Sequence, residues 1–135
     1  MYHEKITAVI NTFNSEEQIY SCLNSINSKI KVIVVENSEN IKFQENLERR
    51  YKNVRCILAK TNLGYAKGNN LGLSYVKTPY ALILNPDAKI EQNTIENFFL
   101  NEKKIKNFSI MGPAQQDESN KENFEDKNDF FEVES

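Results

Sequence analysis

Short apolar runs alternate with longer stretches in which apolar residues return every three or four positions. Ile6-Thr7-Ala8-Val9-Ile10, Val32-Ile33-Val34-Val35, Val54-Arg55-Cys56-Ile57-Leu58 and Ala81-Leu82-Ile83-Leu84 are compact and partly β-branched, and Phe108-Ser109-Ile110-Met111 is a weaker fifth. Runs that are apolar throughout, rather than alternating, predict parallel strands covered on both faces. Between the first two, Ser15-Glu16-Glu17-Gln18 has the form of a capping box. In that motif the serine caps the helix start and the glutamine reaches back. Ile19, Cys22, Leu23 and Ile26 then fall at i, i+3, i+4 and i+7, one apolar helical face. Phe43 and Leu47 mark a second helix ending in Arg49-Arg50, Leu71 and Tyr75 a third, and Asn93-Thr94-Ile95-Glu96 opens a fourth that carries Ile95, Phe98 and Phe99. The order β-α-β-α-β-α-β-α-β predicts an α/β sandwich with a mostly parallel sheet and right-handed crossovers.

The last stretch breaks the pattern. Residues 115–129 are polar and acidic, with Phe124 the one apolar side chain. They read as a loop or a disordered tail. Phe130-Phe131-Glu132-Val133 reads as the start of another strand. The expected division is therefore a globular domain over 1–115 and a tail over 116–135 that begins an incomplete second half. An open sheet whose covering half is missing predicts self-association as a homo-oligomer.

Charge sharpens the division. Residues 117–135 hold eight acids and two lysines, a balance of −6, and the other 116 residues hold 11 acids and 15 bases, a balance of +4. A mildly basic body suits a small anionic ligand, and it lacks the dense Lys/Arg face that nucleic-acid binding needs. With 39% hydrophobic residues the chain can bury a core without disulfides or a structural metal. Cys22 and Cys56 fit neither a CxxC nor a zinc pattern and read as buried, reduced thiols. No apolar run nears the roughly 18 residues of a membrane span. The lead-in Met1-Tyr2-His3-Glu4-Lys5 does not read as a signal peptide, and His3 is expected at a mobile surface. A cytoplasmic location is expected, with peripheral association at the inner face of the membrane as a variant.

Ligands of open α/β sheets bind beyond the carboxyl ends of the strands. Four polar clusters stand there: Asn11-Thr12-Phe13-Asn14, Glu36-Asn37-Ser38, Lys60-Thr61-Asn62-Leu63-Gly64 and Asn85-Pro86-Asp87. Turn chemistry alone supplies much of this composition, but not an aromatic in the first loop and acids in two others. Phe13 can stack on a base. Glu36 can accept from a base N–H or a ribose hydroxyl. Asp87 is a hard oxygen ligand for Mg²⁺ or Mn²⁺ against a diphosphate. Gly64, Gly68 and Gly72 recur at four-residue spacing, without a Walker or GxGxxG pattern. On a helix they make one smooth face for close approach to the sheet or to a ligand.

These residues resemble family 2 glycosyltransferases. Residues 6–16 resemble the family's opening strand and Thr-Tyr-Asn loop, and Val32–Ser38 (VIVVENS) the second strand, usually VVDNxS. Asn62-Leu63-Gly64-Tyr65-Ala66 through Asn69-Asn70-Leu71-Gly72 resembles the NxGxaxaxNxG segment. Leu84-Asn85-Pro86-Asp87-Ala88 looks like the LNPD form of the DXD motif, frequent in the rhamnosyltransferase-like branch, and Met111-Gly112-Pro113 like the GP after the next strand. The ordered motifs cover roughly residues 5–115.

The resemblance implies a GT-A (Rossmann-like) three-layer fold and a nucleotide-diphosphate-sugar donor, UDP- or dTDP-linked. It also implies a Mg²⁺ or Mn²⁺ ion and inverting transfer to a saccharide or lipid-linked acceptor in cell-surface polysaccharide synthesis. By position the donor would meet Thr12, Phe13, Asn14, Glu36, Asn37, Asn62, Gly64, Lys67, Gly68, Asn69, Asn85 and Asp87, with Asp87 and Asn85 at the metal. Two residues depart from the pattern: Glu36 replaces the usual Asp, and Asn85 the first acid of DXD. The acceptor-side general base is expected beyond residue 135, because Glu118, Glu122, Glu125, Asp126 and Asp129 read as a solvated charge run. The alternatives are a non-catalytic nucleotide-binding module acting through a partner, and a flavodoxin-like or nucleotidyltransferase domain. The latter usually opens with a Gly-rich basic loop where this chain has Asn11–Asn14.

Overall fold

The computed structural model describes residues 2–91, 93–102, 110–113 and 130–133. The chain divides into two compact units, Met1–Ile90 and Glu91–Ser135.

In the first unit a 3₁₀ turn, Tyr2–Glu4, leads into β1 (Ile6–Thr12), followed by α1 (Glu16–Ser25), β2 (Lys31–Glu36), α2 (Ile41–Arg50), β3 (Val54–Leu58), α3 (Gly64–Leu73) and β4 (Tyr80–Leu84). The four strands form one parallel sheet in the order β3-β2-β1-β4. Strand addition thus runs one way through α1 and α2 and reverses through α3. Crossovers of one hand then place α1 and α2 on one face and α3 on the other. The reversal makes the carboxyl ends of β1 and β4 a topological switch point.

The interior strands meet the expectation of continuous burial. Ala8, Val9, Ile10, Val32, Val34 and Val35 are fully buried, joined on the helical side by Ile19, Cys22, Phe43 and Leu47. Each such aliphatic or Phe side chain contributes about 1.5–3 kcal/mol relative to exposure. β4 differs, since burial alternates along it and Ile83 is exposed. It stands at the end of the strand order, paired with β1, and α3 packs chiefly on β1 and β2.

Several local expectations are corrected. Ser15 occupies the N-cap position of α1 but makes no side-chain cap; its hydroxyl turns back to the Phe13 carbonyl at 3.1 Å. α2 does carry a side-chain cap, Asn40 Oδ1 accepting from Phe43 N–H at 3.0 Å. α3 ends at Leu73, so Tyr75 lies beyond it, its ring under the Arg55 guanidinium. His3 is half-buried, its ring tilted at 34° against Tyr2 with centroids 4.1 Å apart, and its Nε2 is buried without a hydrogen-bond partner. Both cysteines are buried free thiols, as expected.

The second unit contains α4 (Thr94–Glu102) and an antiparallel pair, β5 (Ile110–Pro113) with β6 (Phe130–Val133). The fifth strand therefore pairs with the sixth in a separate sheet instead of extending the parallel one. Phe98 and Phe99 meet edge to face at 5.1 Å. Of the expected tail over 116–135, residues 130–133 form β6, and the remainder, with the acids weighed as general bases, lies outside the described residues.

Candidate functional site

The polar segments that follow β1, β2 and β3 are joined by one side chain. Asn37, buried just past β2, donates through Nδ2 to Asn11 Oδ1 (2.6 Å) and to the Thr12 carbonyl (2.9 Å), and its Oδ1 accepts from Leu63 N–H (3.0 Å). Asn11 passes the link on, donating to the Gly64 carbonyl at 3.0 Å. One amide thus ties the ends of β1 and β2 to the start of α3, which a Ser or Asp could not do with the same donors.

The glycine ladder divides by position. A Cβ at Gly68 would overlap the Asn11 side chain, and one at Gly72 would lie 2.5 Å from Val9 Cγ1 and 3.1 Å from Val35 Cγ2. These two allow the close approach of α3 to the sheet. Gly64 does not share their face: it stands in open space at the helix start with φ +75°, a conformation that favours glycine. The smooth face is therefore two residues long. Asn69, on the buried side of α3, has its Oδ1 sequestered without a hydrogen-bond partner.

Glu36 is placed differently from its expectation. It is 1% exposed, and its Oε1 accepts from Ser38 N–H at 2.6 Å and from the Ser38 hydroxyl. Its Oε2 lies 3.4 Å from Thr12 Oγ1, whose better-placed acceptor is the Val35 carbonyl at 3.0 Å. The side chain, one methylene longer than Asp, folds back onto its own turn. Ser38 Oγ in turn accepts from Asn14 N–H at 3.4 Å, so the carboxylate supports the β1–α1 loop indirectly. Thr12 belongs to β1 and is buried, whereas Phe13 is 53% exposed and Asn14 takes a φ of 52°.

Asn62, Lys67, Asn85 and Asp87 are exposed. Asn85 and Asp87 share a turn closed by Ala88 N–H on the Asn85 carbonyl at 2.9 Å. Beneath it Cys22 Sγ lies 3.7 Å from the same carbonyl. Burial, then the negative charge of Asp87, pushes the Cys22 thiol up to about 11. Cys56 is pushed up to about 12 by burial and then by Glu36 and Glu48. Neither is a thiolate at neutral pH.

Three features were not read from the sequence. Tyr65, 63% exposed at the start of α3, and Ile41, 58% exposed at the start of α2, present apolar surface just past strand ends. An aromatic following Gly64 was a legible signal for the first. The third is a cleft of about 300 Å³ lined by Asn14, Glu16, Glu17, Gln18 and Asn40, in which Asn40 Nδ2 donates to Glu16 Oε1 at 2.5 Å. The capping-box pattern covers Glu16, Glu17 and Gln18, and Asn14 belongs to the donor-side set expected above.

Residues 7–129 match the model of Glycosyl transferase family 2. The chain belongs to glycosyl transferase family 2. Its α/β architecture is that of solved GT-A structures. Residues 1–349 of TarS from S. aureus superpose with a TM-score of 0.63 at 19% identity, covering 83% of this chain and 42% of that one. A second S. aureus TarS structure gives 0.63 at 25% identity over 74% of this chain and 20% of that one. The mannosyltransferase PcManGT from Pyrobaculum calidifontis, in complex with GDP-Man and Mn²⁺, gives 0.65 at 16% identity over 84% and 36%. This family 2 chain spans less than half the length of each. No curated protein sequence matches it. No helix among the described residues is long and apolar enough to cross a membrane.

Proposed function

We propose that this chain binds a nucleotide-diphosphate sugar across the carboxyl ends of β1, β2 and β4 and the start of α3. The sugar is then transferred to an acceptor hydroxyl with inversion. The observation that carries the reading is the Asn37 brace, which holds three of the four polar segments in fixed register at the switch-point end of the sheet. Phe13, exposed and apolar, is the stacking surface for the base, with Thr12, Asn14 and the Asn37-Ser38 turn beside it. Glu36 acts through Ser38. Asn62, Gly64 and Lys67 stand exposed at the start of α3, where Lys67 supplies positive charge, while Gly68 and Asn69 lie on the buried side of the helix.

The cation chemistry fits. Asp87 and Asn85 are exposed hard-oxygen donors on one turn. No group of three His, Cys, Asp or Glu side chains able to enclose a metal occurs among the described residues. Such a set suits Mg²⁺ or Mn²⁺ shared with a diphosphate, rather than an all-protein cage. When bound, that ion supplies charge stabilisation for the departing diphosphate. The LNPD sequence favours a rhamnosyltransferase-like donor, dTDP- or UDP-linked, and the GDP-Man in the mannosyltransferase complex makes GDP a third candidate. The acceptor is a saccharide or lipid-linked saccharide, met at the cytoplasmic face of a membrane during cell-surface polysaccharide synthesis.

Thermal unfolding with each nucleotide sugar and Mn²⁺ tests this. A ligand present at about 100-fold its Kd adds about 2.7 kcal/mol, a rise in Tm of about 10 °C at roughly 4 °C per kcal/mol. No rise with any of the three overturns the reading.

A further inference from the structure

The loop after β4 is fastened to α1 at two points one helical turn apart. At its start the Cys22 thiol donates to the Asn85 carbonyl across 3.7 Å. At its end Ile90 N–H donates to Ser25 Oγ at 3.0 Å. Ser25 is held in turn, because its own proton goes to the Cys22 carbonyl at 2.6 Å. Cys22 and Ser25 stand at i and i+3, on one face of the helix. Between the two clips lies the Asn85–Ala88 turn that carries Asp87. The same helix begins one residue beyond Phe13-Asn14, after its N-cap Ser15, and its first residue, Glu16, is held by Asn40 of the α2 cap.

We propose that Cys22 and Ser25 are positioning residues for the cation-binding turn, and that α1 sets the distance between the base end and the cation end of the donor site. Neither side chain touches the donor. Their effect is to fix where the Asp87 carboxylate stands relative to Phe13. The proposal rests on the donor-binding reading above and assigns the helix a metrical role within it. A loop fastened at both ends offers its carboxylate without a further ordering cost on binding. A loose loop meets that cost only when the cation is present. Releasing a clip therefore weakens the metal-dependent part of nucleotide affinity and leaves the metal-free part alone.

The test titrates UDP, dTDP and GDP into the full chain with and without Mn²⁺, for wild type, Ser25→Ala, Ser25→Thr and Cys22→Ala. Ser25→Ala is expected to lose about fivefold of the Mn²⁺-dependent gain in affinity, the worth of one neutral hydrogen bond. Cys22→Ala should lose about twofold, because a long S–H contact is weaker. Ser25→Thr keeps the hydroxyl and should restore the gain. Metal-free affinity should stay within about twofold throughout. Exchange of the Ile90 amide should quicken in Ser25→Ala and not in Ser25→Thr, a readout that needs no ligand. A Ser25→Ala protein that keeps the full Mn²⁺ gain, or loses the same factor without Mn²⁺, overturns the proposal alone. A wild type with no Mn²⁺ gain for any nucleotide overturns the donor-binding reading and the proposal with it.

Discussion

Asn37→Asp is nearly isosteric, yet it turns the two-bond donor of the brace into an acceptor. Nδ2 faces Asn11 Oδ1 at 2.6 Å and the Thr12 carbonyl at 2.9 Å, both acceptors. The Thr12 carbonyl keeps the Asn37 backbone N–H at 2.9 Å, so it is not orphaned. Asn11 can satisfy the new carboxylate only by turning its amide and releasing the Gly64 carbonyl. The retained Leu63 N–H bond becomes charge-assisted and offsets part of the loss. Two lost bonds at about 1–3 kcal/mol each for buried partners, less that offset, leave a destabilisation of about 3 kcal/mol at pH 7. Burial opposite two acceptors raises the folded-state pKa of the introduced carboxyl above its unfolded value of about 3.9. The protonated form, able to donate once, is therefore the one that folding favours. Its contribution is complete below about pH 3.9 and is lost as pH rises through the folded-state pKa, at up to about 1.4 kcal/mol per unit. Urea unfolding followed by far-UV circular dichroism at pH 4.5 and pH 7 measures the gap from wild type at each. A gap below about 1 kcal/mol at pH 7, or one equal at both pH values, refutes the brace as described.

Three further outcomes follow from the geometry. Gly72→Ala places a Cβ 2.5 Å from Val9 Cγ1, and the helix-propensity gain of about 1 kcal/mol falls short of an overpacking cost of about 1–3; denaturant titration should show a net loss of about 1 kcal/mol. Phe13→Ala should leave Tm within about 2 °C, since the ring is 53% exposed, and weaken nucleotide binding by about tenfold or more in isothermal titration. Cys22 and Cys56, pushed up to about 11 and about 12, should resist a thiol reagent at pH 8 and react within minutes in denaturant; rapid native labelling would contradict their burial.

The sheet was legible because β1 and β2 are covered on both faces, and such strands carry uninterrupted apolar sequence. β4 has the same look in sequence, Tyr80-Ala81-Leu82-Ile83-Leu84, yet only one of its faces is covered. Burial depends on a strand's place in the sheet order and on what packs against it, which no local pattern encodes. The four polar strand ends were legible through the rule that ligands meet parallel sheets at that end. What each residue does there was less so. Glu36 and Asn37 are adjacent and both polar, but the acid turns inward to its own loop while the amide becomes the brace. That division follows from side-chain length and from the register that sets Thr12 opposite Glu36. The spacing of Gly64, Gly68 and Gly72 read as one face, because periodicity carries no sign of φ. Ser15 read as a cap because its neighbours fit the motif, but the tight turn at Phe13 takes the hydroxyl first.

The Asn37 brace is built from neutral amide groups, and such bonds are not screened by dissolved ions. The ligand that the frame is proposed to hold is a phosphate anion, whose attraction to Lys67 and to a divalent ion falls as ionic strength rises. Raising salt should therefore loosen the occupant while leaving the frame intact. Architecture and affinity in this domain can accordingly be varied independently, one by mutation and the other by buffer.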